Sequence, residues 1–279
     1  PEAADPGKEL FGTGRMVEAL NRELDTVAGR HQDRSRREEE RTVISRYLLH
    51  LSRLLGENAR QLRGSLATPQ PAYTVKLGVA ARGRGGNRLS GDRGASFRTE
   101  DGRLFVVLCD GAGAGEPAAA ESVLAVDTLV ELIQAGMPAE NAMELLNGMY
   151  VLRDTGSFST MDVLELSLLS GQGTLYKWGA APSYVRSGNA VRRVGSAAPP
   201  PGLGAGGSFG PEVLRLNLWD GDMLVLASDG IDPVEAESLM RDFGGTDMKA
   251  LANILIDRAW SDGGADDATV AVVWLKELR

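Results

Sequence analysis

Aspartates stand at the ends of three strongly apolar runs. VVLCDG (106–111) ends at Asp110-Gly111, and LVLASDG (224–230) ends at Asp229-Gly230. ATVAVV (268–273) begins directly after Asp266-Asp267, and Asp92 lies in the glycine-rich stretch LSGDRG (89–94). Acids at strand ends flank the hydrophobic core and still reach solvent. If these strands are neighbours, several of the carboxylates converge.

Converging carboxylates repel one another and raise each other's pKa unless a cation neutralises them. Oxygen ligands favour hard divalent ions such as Mg²⁺ or Mn²⁺. A glycine after Asp110 and after Asp229 allows a sharp turn and the approach of a carbonyl. A single Asp-Gly is typical of an ordinary turn, whereas aspartates at three strand ends, two of them in Asp-Gly, indicate a metal site.

The glycines of GAGAG (111–115) suggest a second possibility, a loop that binds phosphate through its backbone N–H groups. A dinucleotide fingerprint requires G-x-G-x-x-G in a parallel βαβ unit, but Glu116 stands where the third glycine belongs. The lysine of a P-loop is also absent. The pattern therefore disfavours nucleotide binding.

The composition argues against several classes of partner and of active site. The chain has 279 residues, and 43% of them are hydrophobic, which is enough for one large core plus an appendage. A net charge of −8 argues against nucleic acid as a partner. The only histidines, His31 and His50, lie in a charged N-terminal part, so a histidine zinc site or a Ser-His-Asp triad is not expected. Cys109, the single cysteine, is expected in the core, and reducing conditions are the default.

The pattern after residue 74 predicts many short strands joined by hairpins, with a pair of helices over about 116–136 and 138–153 and a last helix over about 247–260. Strands are predicted over 74–82 and 104–110 and in succession from MDVLELSLL (161–169) to the C-terminus. The fold class is therefore α+β, an antiparallel β-sandwich flanked by helices. The stretch 82–94 is predicted to be one long loop.

The N-terminal part has a different pattern. Residues 12–66 are rich in Arg, Glu and Leu, with apolar residues at helical spacing around a polar middle, 28–41. They form either a helical hairpin packed on its own domain or a signalling and dimerisation linker. The proline-containing stretch 66–74 is predicted to be the linker between this N-terminal part and the domain that follows it. We therefore expect a helical regulatory segment over 1–66 and a catalytic domain over 67–279.

Six motifs in order resemble the metal-dependent type 2C (PPM) serine/threonine phosphatases, most closely their stage II sporulation protein E branch. The resemblance covers about residues 74–276. The motifs are SGD (90–92), LCDGAGAG (108–115), STMDVLELSLL (159–169), YKWGAAPSYVRSGN (176–189), GDMLVLASDGI (221–231) and DDATVAVV (266–273).

The resemblance implies a centre of two Mn²⁺ or Mg²⁺ ions. Asp110 matches the bridging aspartate, and Gly111 matches the residue whose carbonyl joins the second ion. Asp229 and Asp266 match ligands of the first ion. Asp92 matches an acid that reaches metal through water, and Asp267 stands where the family often has asparagine, as a supporting residue.

The sequence departs from the family pattern in two places. Asp232 takes the place of a glutamate after the second Asp-Gly motif, which leaves the role of that acid open. The loop 195–210 is unusually rich in Ala, Gly and Pro, which leaves substrate selection open. Four loop arginines are candidates for holding phosphate, and solvated loop charges are the alternative. They are Arg82, Arg84, Arg88 and Arg93.

The implied activity is hydrolysis of phosphoserine or phosphothreonine by a metal-activated water. The implied substrate is a signalling phosphoprotein such as an anti-sigma-factor antagonist in sporulation. A homodimer through helices 12–66 and a cytoplasmic domain of a membrane-anchored parent are further expectations; the chain opens at Pro1, and no apolar run is long enough to span a membrane. A catalytically inactive phosphoprotein-binding module and a coiled-coil structural protein are the alternatives.

Overall fold

The computed structural model describes residues 70–86, 89–113, 115–153, 159–195, 210–261 and 266–278. The chain divides into two units, 1–51 and 52–279, and all described residues lie in the second. The predicted helices of 12–66, the boundary at residue 66 and all of the loop 195–210 except its two end residues lie outside the described part.

Two five-stranded antiparallel sheets form the described region. Sheet I has the strand order β1-β10-β9-β6-β7, and sheet II has the order β2-β3-β4-β5-β8. The strands are β1 (Tyr73–Arg82), β2 (Asp92–Arg98), β3 (Arg103–Gly111), β4 (Ser159–Ser167), β5 (Gln172–Trp178), β6 (Ser183–Ser187), β7 (Ala190–Val194), β8 (Glu212–Asn217), β9 (Met223–Ala227) and β10 (Ala268–Glu277). The helices are α1 (Glu116–Gln134), α2 (Ala139–Arg153), α3 (Pro233–Asp242) and α4 (Met248–Ser261).

The sheets pack face to face because one set of alternating side chains from each is apolar. Leu104, Val106 and Leu108 alternate along β3, and they lie in one buried cluster with Leu224 and Leu226 of β9. The opposite face of sheet I buries its apolar residues under α3 and α4. Helix α1 covers the outer face of sheet II and also contacts α2. The predicted sandwich flanked by helices is confirmed.

One local prediction was wrong, and one helix was missed. The stretch 82–94 is not one loop, because β2 already begins at Asp92 and pairs with β3 from that residue. Helix α3 was not predicted. Its start is marked by Asp232, whose carboxylate accepts hydrogen bonds from the N–H groups of Val234 and Glu235, both at 2.9 Å, and by Pro233 in the first turn.

Within the described residues, no helix combines the length and the apolar character that crossing a membrane requires.

Candidate metal centre

Two of the predicted acids lie side by side on sheet II. Asp92 at the start of β2 is the register partner of Asp110 near the end of β3, and Asp110 is paired on its other side with Thr160 of β4. Directly paired residues project from the same face of a sheet, with Cβ atoms about 4.5–5.5 Å apart. Since Leu108, two residues before Asp110, faces the inter-sheet core, both carboxylates lie on the inner face at the edge of the sandwich.

Sheet I brings two more acids to the same edge. β9 ends at Ala227, directly before Ser228 and Asp229. Its partner β10 begins directly after Asp266 and Asp267. Ala227 and Val270 are register partners, so both acids lie at the same end of sheet I, and their charges act on Asp110. The structure therefore brings Asp92, Asp110, Asp229 and Asp266 together from opposite sheets.

The closeness of these carboxylates is reflected in their pKa values. Burial raises the pKa of Asp110 to about 8, and the charges of Asp92, Asp229 and Asp266 add to the effect. Burial raises the pKa of Asp92 to about 6; Ser228 and Thr269 oppose the rise, and Asp267 and Asp229 increase it. The pKa of Asp229 is raised by burial and by Asp266. Each group is therefore easier to protonate than an ordinary aspartate, as expected where negative charges are concentrated.

Gly111 and Gly230 follow the two strand-end aspartates because other chain segments pass close by. A Cβ on Gly111 would lie 2.3 Å from the carbonyl oxygen of Ala118 in α1, and a Cβ on Gly230 would lie 2.2 Å from the carbonyl oxygen of Asp267. Neither glycine has a positive φ, so the sharp turn expected from the sequence is not the reason. The turn into α1 is made by Gly113 (φ 102°) and Gly115 (φ 76°).

Asp267 ties the edge of the site together. Its carboxylate accepts hydrogen bonds from the backbone N–H groups of Arg84 at 2.6 Å and Gly91 at 2.5 Å. The N–H of Gly111 in turn donates to the carbonyl of Gly91 at 3.2 Å. These contacts join the start of β10, the turn after β1 and the start of β2. Asp267 therefore holds in place the chain segments on either side of Asp92.

The residues fit a hard divalent cation. Both carboxylate oxygens of Asp92 are buried and have no hydrogen-bonding partner among the described residues. Buried charges are normally paired or bound to metal, and an all-oxygen donor set suits Mg²⁺ or Mn²⁺. Within the described part of the chain, no three His, Cys, Asp or Glu side chains already form a cage around one point.

Of the candidate phosphate-binding arginines, Arg82 is engaged elsewhere. The guanidinium of Arg82 pairs with Asp257 at 3.1 Å and stacks 4.9 Å from the ring of Trp260, both on α4. Arg93 is paired with Cys109, so it projects from the face of sheet II opposite to Asp92. Arg88 lies outside the described residues, and Arg84 lies in the turn held by Asp267. Cys109 is fully buried, as expected, and burial raises its pKa.

Two residues at the site were missed from the sequence. The hydroxyls of Ser228 and Thr269 lie beside Asp92 and act on its pKa. Only their positions in the sequence could have indicated them, since Ser228 directly precedes Asp229 and Thr269 follows Asp267 by two residues. Asp232, whose role the sequence left open, caps α3.

Comparison with known proteins agrees with this geometry. A family model for Stage II sporulation protein E (SpoIIE) matches residues 100–274. The Stage II sporulation protein E of Bacillus subtilis is 29% identical over 215 residues, which is 72% of this chain and 26% of that protein. The chain thus spans about a quarter of the length of the curated relatives it matches.

Solved structures share the fold. The PP2C phosphatase domain of SpoIIE from Bacillus subtilis, solved with a fragment of its regulatory domain, superposes with a TM-score of 0.69 at 26% identity. The match covers 75% of this chain and 66% of that chain. RsbX in complex with magnesium gives a TM-score of 0.60 at 16% identity, covering 75% of this chain and 99% of that chain, and shows the fold alone. Because the SpoIIE model matches more than half of the chain, the chain belongs to the SpoIIE family of PP2C-type serine/threonine phosphatases.

Proposed function

We propose that this chain hydrolyses phosphoserine or phosphothreonine at a centre of two Mn²⁺ or Mg²⁺ ions held at the shared edge of the two sheets. One observation carries the proposal: the carboxylate of Asp92 is buried without a partner among the described residues, beside three further carboxylates. That arrangement is costly unless a cation binds there. The proposed ligands are Asp110, Gly111, Asp229 and Asp266, with Asp92 and Asp267 in support.

The ligands divide by their positions in the fold. The charges of Asp92 on its own sheet and of Asp229 and Asp266 beside sheet I all act on Asp110, which supports Asp110 as the shared ligand. Asp229 and Asp266 flank neighbouring strand ends and are assigned to one ion; the carbonyl of Gly111 is assigned to the other. When bound, two divalent cations supply a hydrolytic nucleophile at neutral pH and neutralise charge on the phosphoryl group. Cys109 is buried in the core and serves no such role.

The test is dephosphorylation of a phosphoserine protein in the presence of Mn²⁺, with wild-type chain compared with Asp110→Ala. We expect a loss beyond the roughly 10–100-fold typical of residues that only support metal ligands. Asp242→Ala is the matched control, since Asp242 lies at the far end of α3, where it accepts a hydrogen bond only from Ser238 at 3.4 Å among the described contacts. Its turnover should stay within about twofold. Binding of the phosphoprotein without turnover by the wild type would instead establish a catalytically inactive binding module.

The substrate and the N-terminal segment belong to the same proposal. Membership in the SpoIIE family supports a phosphorylated anti-sigma-factor antagonist as substrate and a cytoplasmic domain of a membrane-anchored parent. The helical spacing within 12–66 supports a dimerising, activity-setting role for that segment. Measuring molecular mass and Mn²⁺-saturated turnover with and without residues 1–66 tests this role; equal mass and equal turnover would refute it.

A further inference from the structure

Polar side chains from both sheets are buried at the edge that carries the carboxylates. Ser228 follows β9, Thr269 lies in β10, and Asp92 begins β2 of the other sheet. Ser228 and Thr269 are only 4% and 3% exposed. Polar groups buried this deeply are normally hydrogen-bonded, so each of their atoms needs a partner.

The backbone uses part of this bonding capacity. The N–H of Ser228 donates to the carbonyl of Thr269 at 3.0 Å, and the N–H of Thr269 donates to the Ser228 hydroxyl oxygen at 2.8 Å. The Ser228 hydroxyl therefore accepts one bond, and its own hydrogen is available to donate. This reciprocal pair fixes both hydroxyl-bearing residues rigidly at the sheet edge.

Three oxygens of this group remain without hydrogen-bonding partners among the described residues: Thr269 Oγ1 and the two carboxylate oxygens of Asp92. Their chemistry is complementary, because a hydroxyl can donate and an ionised carboxylate can only accept. Alternation along the strands places both hydroxyls on the face that Asp92 faces from the other sheet. Ala271 of β10 and Leu226 of β9 lie in the inter-sheet core, so Thr269 and Ser228, each two residues away, project from that same face of sheet I.

We propose that the hydroxyls of Thr269 and Ser228 are positioning groups that orient the ionised Asp92 carboxylate toward the metal centre, an inference that rests on the proposed function. Asp267 fixes the backbone beside Asp92 through its bond to the Gly91 N–H. The hydroxyls face the side chain itself, whose buried carboxylate oxygens have no other hydrogen-bonding partner among the described residues. One sheet thus orients a metal-facing acid of the other.

The predicted consequence is a weaker affinity for metal in a chain that still folds. Removing groups that orient a metal ligand typically weakens metal binding by about 10–100-fold. Neither hydroxyl is assigned as a ligand. Their removal should therefore raise the Mn²⁺ concentration that gives half of the maximal rate by a larger factor than it lowers the maximal rate itself.

The experiment is Mn²⁺ binding by isothermal titration calorimetry to the full chain, compared among wild type, Thr269→Val and Thr269→Ser. Valine has the shape of threonine without its hydroxyl, and serine keeps the hydroxyl. We expect a Kd raised about 10-fold or more by valine and restored to within about threefold by serine. Equal Kd values for valine and wild type would overturn the inference while leaving the proposed function standing; absence of Mn²⁺ binding by the wild type would overturn both.

A second variant covers the case in which Thr269→Val does not fold. Ser228→Ala removes only the other hydroxyl and should raise the Kd for Mn²⁺ several-fold. Placed in an Asp92→Asn background, either hydroxyl deletion should produce little further change, because residues acting through one group are not additive. Fully additive effects in that double variant would contradict a role exerted through Asp92.

Discussion

The aspartates of this site hold their protons more tightly in the folded chain than ordinary aspartates do in water. Burial and mutual repulsion raise the pKa of Asp110 to about 8 and that of Asp92 to about 6. Without metal, the folded chain therefore keeps protons that the unfolded chain, with an aspartate pKa near 3.8, releases. A divalent cation bound as proposed would relieve the same repulsion that destabilises the metal-free protein.

A pH dependence of stability follows at this scale. Because the folded pKa values lie above the unfolded one, stability is fully present below about pH 4 and is lost as the pH rises through about 8. For the metal-free chain we expect a loss of about 1–3 kcal/mol across that window, less than full linkage gives because solvent screens these half-buried groups. Urea unfolding between about pH 5 and about pH 8.5 measures it.

Asp110→Asn is the control for that prediction. Asparagine occupies the same volume and cannot ionise, so most of the slope between about pH 6 and about pH 8 should disappear. Saturating Mn²⁺ should flatten the wild-type curve for the same reason. A slope unchanged in Asp110→Asn would mean that other groups control the stability.

At the scale of elements, a buried ion pair fixes the connection between the sheets. Asp162 of β4 and Lys177 of β5 are register partners, each about 1% exposed, and the ammonium lies 2.6 and 2.7 Å from the two carboxylate oxygens. Lys177 also donates to the carbonyl of Ala181 at 2.7 Å and to the hydroxyl of Ser183 at 2.9 Å. It thereby holds the crossover from β5 in sheet II to β6 in sheet I.

Lys177→Met should destabilise the chain by about 3–5 kcal/mol, since it leaves the charge of Asp162 buried and unpaired. Adding Asp162→Leu to that variant removes the unpaired charge and should recover a large part of the loss, because a well-packed apolar pair can replace a buried ion pair. Urea unfolding of the two variants and the wild type measures both changes. A double variant no more stable than Lys177→Met would show that the hydrogen bonds to the crossover, rather than the paired charges, are what the fold needs.

The elements that sequence predicted best are the ones whose own residues determine them. β10 and β3 are continuous apolar runs, and the helix pair after Gly115 is bounded by glycine and proline signals. β2 was partly missed because DRGASFR has little strand propensity and becomes a strand by pairing with β3. Helix α3 was missed because PVEAESLMRD is short, although Asp232 and Pro233 marked its start.

At the scale of the whole molecule, the site exists only because two sheets end at one edge. Sequence placed Asp110, Asp229 and Asp266 at strand ends and Asp92 in a loop. It did not show that Asp92 and Asp110 belong to one sheet, whereas Asp229 and Asp266 flank neighbouring strands of the other. No local pattern reports how two sheets pack on each other. The hydroxyls of Ser228 and Thr269 were missed for the same reason, since only the packing of sheet I against sheet II brings them to the edge where Asp92 lies.

Gly230→Ala tests this whole-molecule arrangement. The added Cβ would lie 2.2 Å from the carbonyl oxygen of Asp267, so the chain on either side of the site must separate, at a cost of about 1–3 kcal/mol and with weaker Mn²⁺ binding. Gly173→Ala in β5 is the matched control, because its Cβ would meet its nearest neighbours at 3.5 Å, an ordinary contact. That control should change stability by less than about 1 kcal/mol and leave Mn²⁺ affinity intact. Calorimetric Mn²⁺ titration alongside urea unfolding separates the two effects: equal metal affinity in Gly230→Ala and the wild type would mean that the close passage of Asp267 over Gly230 does not set the position of the metal-facing acids.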